Sequence, residues 1–199
     1  MANISIDEIK RLRELTGVGI TDAKVALVEA DGDFDKALAA MRKKGMTKAE
    51  KRGEREARAG IVGSYVHDNR IGVIVEVNCE TDFVARNENF TNLVKDISMH
   101  IAASSPEFVS SDDIPADVRK ATEAEFSEKV SGEGKPKDMV PKIVEGMLAK
   151  HFAERCLLDQ PFIKNPDQTV GDYIKEGIAK LGENIVVRRF ARMAVGEVS

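Results

Sequence analysis

Residues 76–85 read Glu-Val-Asn-Cys-Glu-Thr-Asp-Phe-Val-Ala, and they mark a change from one type of structure to another. The apolar run 71–77, which leads into them, is typical of a β-strand. A helical pattern opens at Asn87, so Thr81-Asp82-Phe83 falls in the connection between a strand and a helix. An aromatic side chain on a short, stiff connection can act as a wedge against another protein. Phenylalanine is also a common core residue, so the sequence leaves both positions of Phe83 open.

The chain on either side of this stretch predicts an antiparallel sheet. Residues 61–66 and 71–77 are strand-like, and the short polar segment 67–70 between them is typical of a β-hairpin turn. Residues 184–195, near the end of the chain, form a third strand-like run. We expect this run to close a three-stranded antiparallel sheet.

Helices are expected to flank this sheet. Apolar residues recur at helical spacing over 87–103, and a longer helix is predicted over 138–157, after the very polar segment 117–129. Thr169 can cap a further helix that ends at Gly182. Strands that are far apart in sequence and joined by helices predict an α+β core domain around the antiparallel sheet.

The first part of the chain predicts a small bundle of three helices. Each helix has a capping residue before it and a glycine after it, which are common start and stop signals. The caps are Ser5, Thr21 and Asp33, and the stops are Gly17, Gly32 and Gly45. The apolar residues expected inside the bundle are Ile6, Ile9, Leu12, Leu15, Val25, Ala26, Leu27, Phe34, Leu38 and Met41.

We expect two domains. Residues 1–54 would form the helical domain with a basic linker, and residues 55–199 would form the α+β core. Residues 42–58, at the junction, carry eight basic and three acidic residues. Such a run is more typical of a solvated helical linker than of a specific contact with RNA or an acidic partner, and both interpretations stay open.

Composition limits the possible functions. The chain has 199 residues and a formal net charge of −4, which argues against general binding of DNA or RNA through their phosphates. No apolar run approaches the ~20 residues of a membrane span, and residues 1–5 lack the features of a signal peptide. Cys79 and Cys156 are too few for a disulfide framework. We therefore expect a reduced, cytoplasmic protein.

The residues that most often support catalysis do not form a recognisable site. The histidines are far apart in sequence and have no partner at the spacing of zinc ligands. They are His67, His100 and His151. We expect His100 to be a hydrogen-bonded, half-buried residue rather than a base. Cys79 and His67 could meet as a thiol–imidazole pair, but nothing in the sequence supplies an orienting third group or an oxyanion hole.

Two glycine-containing loops suggest a nucleotide site and fail its requirements. The segment 17–19, Gly-Val-Gly, lacks the preceding strand of a dinucleotide fingerprint. In the segment 132–135, Gly-Glu-Gly-Lys, the next residue is Pro136, where a phosphate loop needs Ser or Thr to hold magnesium. We expect the chain to bind no nucleotide, metal or cofactor of its own.

Three strings of residues carry a resemblance to a known family. They are residues 76–85, residues 12–19 (Leu-Arg-Glu-Leu-Thr-Gly-Val-Gly) with Asp22-Ala23-Lys24, and residues 186–190 (Val-Val-Arg-Arg-Phe). They occur in the order found in the bacterial elongation factor Ts family, which the chain resembles over nearly its whole length. That family comprises nucleotide-exchange factors of elongation factor Tu, so the resemblance implies a binding protein without catalytic residues.

The resemblance also implies which residues touch the partner. Thr81, Asp82, Phe83 and Val84 would form the loop that enters elongation factor Tu and dislodges its magnesium ion. In that mechanism Asp82 and Phe83 push between helices of the partner, and Thr81 and Val84 hold the shape of the loop.

The N-terminal helices would form a ubiquitin-associated (UBA)-like bundle that grips the nucleotide-binding domain of elongation factor Tu. By position, Lys10, Arg13 and Ile20 would be its contacts, although ordinary solvated charge explains Lys10 and Arg13 equally well.

The resemblance bears on assembly as well. Family members commonly carry two related core subdomains, and this chain has room for one. A single subdomain would leave a sheet surface exposed, through which two copies could pair. We therefore expect a homodimer and a 2:2 complex with elongation factor Tu.

Two alternatives come from other functional classes. One is a small adaptor whose N-terminal bundle binds ubiquitin-like domains or helical peptides, while the core serves as a dimerisation unit. The other is a thiol-dependent enzyme that uses Cys79.

Overall fold

The computed structural model describes residues 4–133 and 136–197 of the chain. It has the predicted α+β fold class, with helices at the N-terminus followed by a three-stranded antiparallel sheet and flanking helices. Within these residues, no helix is both long and apolar enough to cross a membrane.

The N-terminal bundle consists of α1 (Ile6–Thr16), α2 (Ile20–Glu29) and α3 (Phe34–Arg52). α1 begins with a capping box: the Ser5 hydroxyl accepts from the Glu8 backbone N–H (3.1 Å), and the Glu8 carboxylate accepts from the Ser5 backbone N–H (3.0 Å). The helices pack on a small core of their own. Its buried members are Ile9, Leu12, Ala23, Ala26, Leu27, Ala37 and Met41.

Three apolar residues that were predicted inside the bundle lie outside it. Ile6, Leu15 and Val25 are 71%, 52% and 48% exposed. The stripe predicted along α1 used a spacing of three residues, which falls about 60° short of a full helical turn at each step. The stripe therefore drifts around the helix, and only its middle members, Ile9 and Leu12, reach the core.

Three predicted helix boundaries in the bundle are wrong. α2 ends at Glu29, three residues before the predicted stop at Gly32. α2 begins at Ile20, so Thr21 lies inside the helix and is not its cap. α3 does not stop at Gly45 but continues to Arg52. A Cβ at position 45 would lie 3.2 Å from the Ala179 side chain, so this glycine permits a close approach between α3 and the helix that carries Ala179.

The sheet contains β1 (Ala59–His67), β2 (Ile71–Cys79) and β5 (Val186–Ala194), in the order β1-β2-β5 with antiparallel neighbours. Asp68 and Asn69 form the turn between β1 and β2, and both have positive φ angles (47° and 56°). Asp and Asn tolerate this left-handed conformation better than most residues, which suits the tight turn of a hairpin whose last paired residues are His67 and Ile71. The predicted hairpin and closing strand are confirmed.

Helices cover one face of this sheet. α5 (Glu88–Ser104) packs on β1 and β2, and α8 (Val170–Leu181) packs against α5 and α3. Thr169 caps the start of α8 and Gly182 caps its end, as predicted. The largest fully buried side chains of this core are Val75, Val77, Phe90, Val94, Ile97, Ile101, Leu157 and Val170.

The remaining elements lie between α5 and α8. α6 (Ala116–Gly132) and α7 (Val140–Ala153) pack against each other as a helical hairpin. The helix predicted over 138–157 is therefore shorter at both ends. β3 (Pro161–Phe162) and β4 (Asn165–Thr169) form a small second sheet that the sequence did not predict.

The bundle and the core meet along α3 and α8. Arg42 on α3 forms an ion pair with Glu176 on α8 (3.4 Å), and the Arg52 guanidinium donates to the Ile178 carbonyl (3.1 Å). The chain thus passes from one core to the other within a single helix. The division into domains at residue 54 stays a prediction.

Candidate functional site

A single turn of helix follows the sheet at the predicted wedge. β2 ends at Cys79, and α4 spans Asp82–Ala85. Thr81 has extended backbone angles (φ −131°, ψ 153°) and is the N-cap of this turn, with its hydroxyl accepting from the Val84 backbone N–H (3.4 Å). A side-chain cap satisfies one of the backbone N–H groups that every helix start leaves without an internal partner.

Phe83 and Val84 lie on different sides of this turn. Phe83 is 83% exposed, the most exposed large hydrophobic side chain in the described part of the chain. Val84 and Ala85 are 6% and 5% exposed and belong to the core cluster beneath the sheet. Of the two positions that the sequence left open for Phe83, the structure has the outer one, and Val84 anchors the turn from below.

A carboxylate from the far end of the chain holds the base of this loop. Glu183 Oε2 accepts hydrogen bonds from the backbone N–H groups of Glu80 (3.1 Å) and Thr81 (3.0 Å), and Glu183 Oε1 accepts from the Thr81 hydroxyl (2.6 Å). A charged acceptor makes these bonds stronger than neutral ones. Both oxygens of one side chain therefore hold two successive residues of the loop.

The next residue, Asn184, donates back to the loop residue Glu80. Its backbone N–H donates to Glu80 Oε1 (2.7 Å), and its side-chain amide donates to the carbonyls of Gly53 (3.2 Å) and Arg55 (2.6 Å). Asn184 is 2% exposed. The Arg55 guanidinium also lies 3.5 Å from Glu80 Oε1. The residues just after α3, the start of the loop that carries Phe83 and the residues just before β5 thus share one hydrogen-bonded cluster.

Sequence reasoning did not single out Glu183 or Asn184. Gly182, with φ 82°, ends α8 in the left-handed conformation, and the two residues after it turn directly into the cluster. The glycine was a visible signal for the end of the helix. The sequence contains no local signal that couples Glu183 to residues about a hundred positions earlier.

The thiol–imidazole alternative is wrong. Cys79 pairs with Ala59 at one end of the hairpin, whereas His67 pairs with Ile71 at the other end. The Cys79 thiol is buried and donates to the Thr81 carbonyl (3.2 Å). Burial raises the pKa of this thiol, with the Glu183 carboxylate as a second cause, so the reactive thiolate form is disfavoured.

His100 is a structural residue, and it is fully buried rather than half-buried. Its Nε2 lies 2.9 Å from Gln160 Oε1, and its Nδ1 accepts from the Ile163 backbone N–H (3.3 Å). Desolvation lowers the pKa of this imidazole, although the Gln160 contact acts in the opposite direction. Among the described residues, no group of three or more His, Cys, Asp or Glu side chains is placed to hold a metal ion.

The residues predicted to contact a partner from the bundle are all on its surface. Lys10 and Arg13 lie three residues apart on α1, and neither forms an ion pair within the described ranges. Ile20, the first residue of α2, is 57% exposed. The structure thus has each of them accessible, in the bundle rather than beside the Phe83 loop.

Arginines of the basic stretch 42–58 are engaged within the protein. Arg42 and Arg52 contact α8, Arg55 contacts Glu80, and Arg58 pairs with Glu56 (2.7 Å). These contacts favour the linker interpretation of the stretch.

The cavities and the second glycine loop add no site. A cavity of about 520 Å³ lies between α6 and α7, and its lining contains none of the predicted contact residues. The glycine loop at 132–135 includes Gly134 and Lys135, which lie outside the described residues.

Comparison with known proteins agrees with the resemblance drawn from the three strings. The profile of the family described as elongation factor TS matches residues 46–197. The chain is 50% identical over 194 residues to elongation factor Ts of Thermodesulfovibrio yellowstonii, which covers 98% of this chain and 97% of that protein. It is 47% identical over 196 residues to elongation factor Ts of Geobacter sulfurreducens, with coverage of 98% and 91%.

A third relative extends the agreement. Elongation factor Ts of Caldanaerobacter subterraneus is 50% identical over 195 residues, with coverage of 98% of each chain. The similarity includes the N-terminal bundle, which the family profile does not reach. On this similarity, the chain belongs to the elongation factor Ts family of translation elongation factors.

Proposed function

We propose that this protein is the guanine-nucleotide exchange factor of elongation factor Tu. It binds the GDP form of that GTPase and promotes release of GDP, so that GTP can bind. The observation that carries the proposal is the Phe83 tip, an exposed aromatic side chain on a capped loop held by Glu183 and anchored by Val84. The proposed activity belongs to translation in the cytoplasm, and it needs no catalytic residue or cofactor in this chain.

The mechanism acts on the magnesium ion of the partner. A GTPase holds its nucleotide through backbone amides, a lysine and a magnesium ion that bridges the phosphates. That ion is the largest local charge in the site, so its loss weakens every group that faced it. Asp82 and Phe83 enter between helices of the nucleotide-binding domain, magnesium coordination is lost, and the phosphate loop rearranges. Thr81 and Val84 preserve the shape of the loop.

Phe83 cannot supply the whole effect. Burying one Phe side chain stabilises a complex by roughly 1.5–3 kcal/mol. A release rate ~10⁴-fold faster requires the barrier to fall by about 5.5 kcal/mol. The difference must come from further contacts, and the exposed Lys10, Arg13 and Ile20 of the bundle are our candidates for them.

Linkage makes the exchange cycle complete itself. If this protein lowers the affinity of elongation factor Tu for nucleotide by a given factor, nucleotide lowers the affinity of elongation factor Tu for this protein by the same factor. An incoming GTP therefore expels the exchange factor.

We also propose that two copies pair through the outer face of the sheet. On this face Val62, Val66, Ile74 and Met193 are 70%, 62%, 55% and 77% exposed. Contiguous exposed apolar residues of this kind are typical of protein–protein contacts. The expected assembly is a homodimer that binds two molecules of elongation factor Tu.

The test of the exchange function is release of fluorescent GDP from purified elongation factor Tu. Phe83→Ala should slow release at least tenfold, because it removes the apolar surface that enters the partner. Ile163→Ala, which also truncates an exposed apolar side chain, should release GDP at the wild-type rate. A wild-type rate for Phe83→Ala would contradict the wedge.

A further inference from the structure

We propose that Glu183 is a positioning residue for nucleotide exchange: its carboxylate fixes the loop that presents Phe83. With Asn184 it also ties that loop to the linker that leads to the bundle. The inference rests on the proposed function and goes beyond it, because it assigns a role to residues that do not form the tip and lie about a hundred positions away in sequence.

The first step of the argument is the number of contacts that one side chain makes. Three donors on two successive loop residues, Glu80 N–H, Thr81 N–H and Thr81 Oγ1–H, point to the Glu183 carboxylate at 2.6–3.1 Å. A carboxylate held at both oxygens fixes direction as well as distance. Thr81 is also the N-cap of the turn that carries Phe83, so the contacts of Glu183 act two residues before Phe83.

The second step is reciprocity. While Glu183 accepts from the backbone of Glu80, the Glu80 carboxylate accepts from the backbone of Asn184 (2.7 Å). Each segment therefore supplies both a donor and an acceptor to the other. Such a pair resists shear between the two segments better than one bond, because sliding in either direction breaks a contact.

The third step connects the loop to the linker. The buried Asn184 amide donates to two carbonyls just beyond α3, those of Gly53 and Arg55. The Phe83 loop and the bundle are the two regions of this chain that we propose contact the partner. Adjacent residues, Glu183 and Asn184, thus connect the first region to the linker that leads to the second. This dipeptide therefore adds to the contacts between α3 and α8 that already join the bundle to the core.

Rigidity at this point has a direct consequence for exchange. A wedge transmits force to the partner only if its base does not yield, and ordering a mobile loop during binding would cost free energy. If Glu183 merely stabilised the fold, its loss would weaken the function of the whole protein equally, whatever residue stood at position 83. A positioning role requires that its effect depend on Phe83.

Glu183→Gln is the central variant, because it keeps the size of the side chain but replaces one acceptor oxygen with a donor that faces donors. With Phe83 present, we expect it to slow release of fluorescent GDP about tenfold, the order of one charge-assisted hydrogen bond. In the Phe83→Ala background, we expect the same change to slow release less than twofold. Glu125→Gln, an exposed carboxylate on α6, is the matched control and should have no effect.

A second measurement needs no partner. The chain contains no tryptophan, so Phe83→Trp introduces a single tryptophan, which can be excited at wavelengths where the two tyrosines do not absorb. Time-resolved anisotropy should show a larger fast-motion amplitude when Glu183→Gln is added, while the thermal unfolding midpoint of the core moves by only a few degrees. If Glu183→Gln unfolds the protein, Glu183→Asp keeps the carboxylate but draws it back by one methylene, and it should give the same changes at smaller amplitude.

The outcomes separate the two proposals. Equal slowing of release by Glu183→Gln in both backgrounds, or unchanged motion of the tip, would overturn the positioning role. If Phe83→Ala itself exchanges at the wild-type rate, the wedge fails, while the anisotropy still decides whether Glu183 holds the loop.

Discussion

Val84 keeps Phe83 outside the core. The two are consecutive on a one-turn helix, so their side chains leave the axis about 100° apart. With Val84 buried among the core residues and the Thr81 cap fixed, the backbone leaves Phe83 only the solvent side. The alternation of one buried and one exposed apolar residue is therefore a property of the turn itself.

Removing the positive charges of α1 should weaken the complex with elongation factor Tu. We expect Lys10→Ala with Arg13→Ala to raise the Kd several-fold at low salt and less at high salt, since exposed charges are screened. Binding measured at two ionic strengths checks this. Lys120→Ala, an exposed lysine on α6, serves as the control. A loss that does not depend on salt would indicate damaged packing instead.

His100 should make the protein less stable in mild acid. Burial lowers the pKa of the folded-state imidazole, so below the ordinary histidine pKa of about 6.5 the unfolded chain binds a proton that the folded chain does not. Stability from this residue is thus complete above that pH and falls as pH decreases, by at most about 1.4 kcal/mol per unit.

Urea unfolding at pH 7.5 and 5.5 checks the effect of His100. The difference between the two free energies should be smaller in His100→Gln than in the wild type. Equal differences would mean that His100 does not titrate separately in the two states.

At the scale of elements, most starts and stops were predictable, because caps and glycines act locally. The Ser5, Asp33 and Thr169 caps and the Gly17 and Gly182 stops are confirmed. Gly45 was misread, because a glycine that permits close packing looks the same in sequence as one that ends a helix. The contacts of Glu183 with Glu80 and Thr81 could not be predicted for a different reason: they join segments about a hundred residues apart in sequence.

Because α3 and α8 approach closely at Gly45, a large side chain should lower the stability of the fold more at this glycine than at an exposed one. Gly45→Leu should destabilise the fold by roughly 1–3 kcal/mol, because the side chain would push α3 away from α8. Gly146→Leu on α7 is the matched control, since a Cβ there would meet nothing within 4 Å beyond its own stretch of helix. It should be neutral or stabilise by up to about 1 kcal/mol. Urea unfolding compares the two, and equal effects would contradict the close packing.

At the scale of the whole molecule, the sheet has one face covered by α5 and the other rich in exposed apolar side chains. The sequence predicted such a face from the resemblance and from the length of the chain. Which apolar residues lie together on this face depends on the pairing register of the strands, in which Ile74 lies opposite Ala191. The sequence alone does not give that register.

Assembly is the property that this face should control. Ile74→Lys should convert a dimer to a monomer, because it buries a charge at the centre of the proposed contact. Light scattering across micromolar concentrations measures the mass. Met139→Lys, a similar change at an exposed site at the start of α7, should leave the dimer intact. A wild-type protein that is monomeric throughout would overturn the pairing.

The uninterrupted course of α3 has a geometric consequence. The part beyond the bundle, from Gly45 to Arg52, is a rod of about 12 Å at 1.5 Å per residue. A continuous helix fixes both the distance and the rotation between its two ends. One extra residue in α3 would therefore rotate the N-terminal bundle by about 100° about the helix axis. The distance between the two proposed contact regions therefore depends on the length of this one helix.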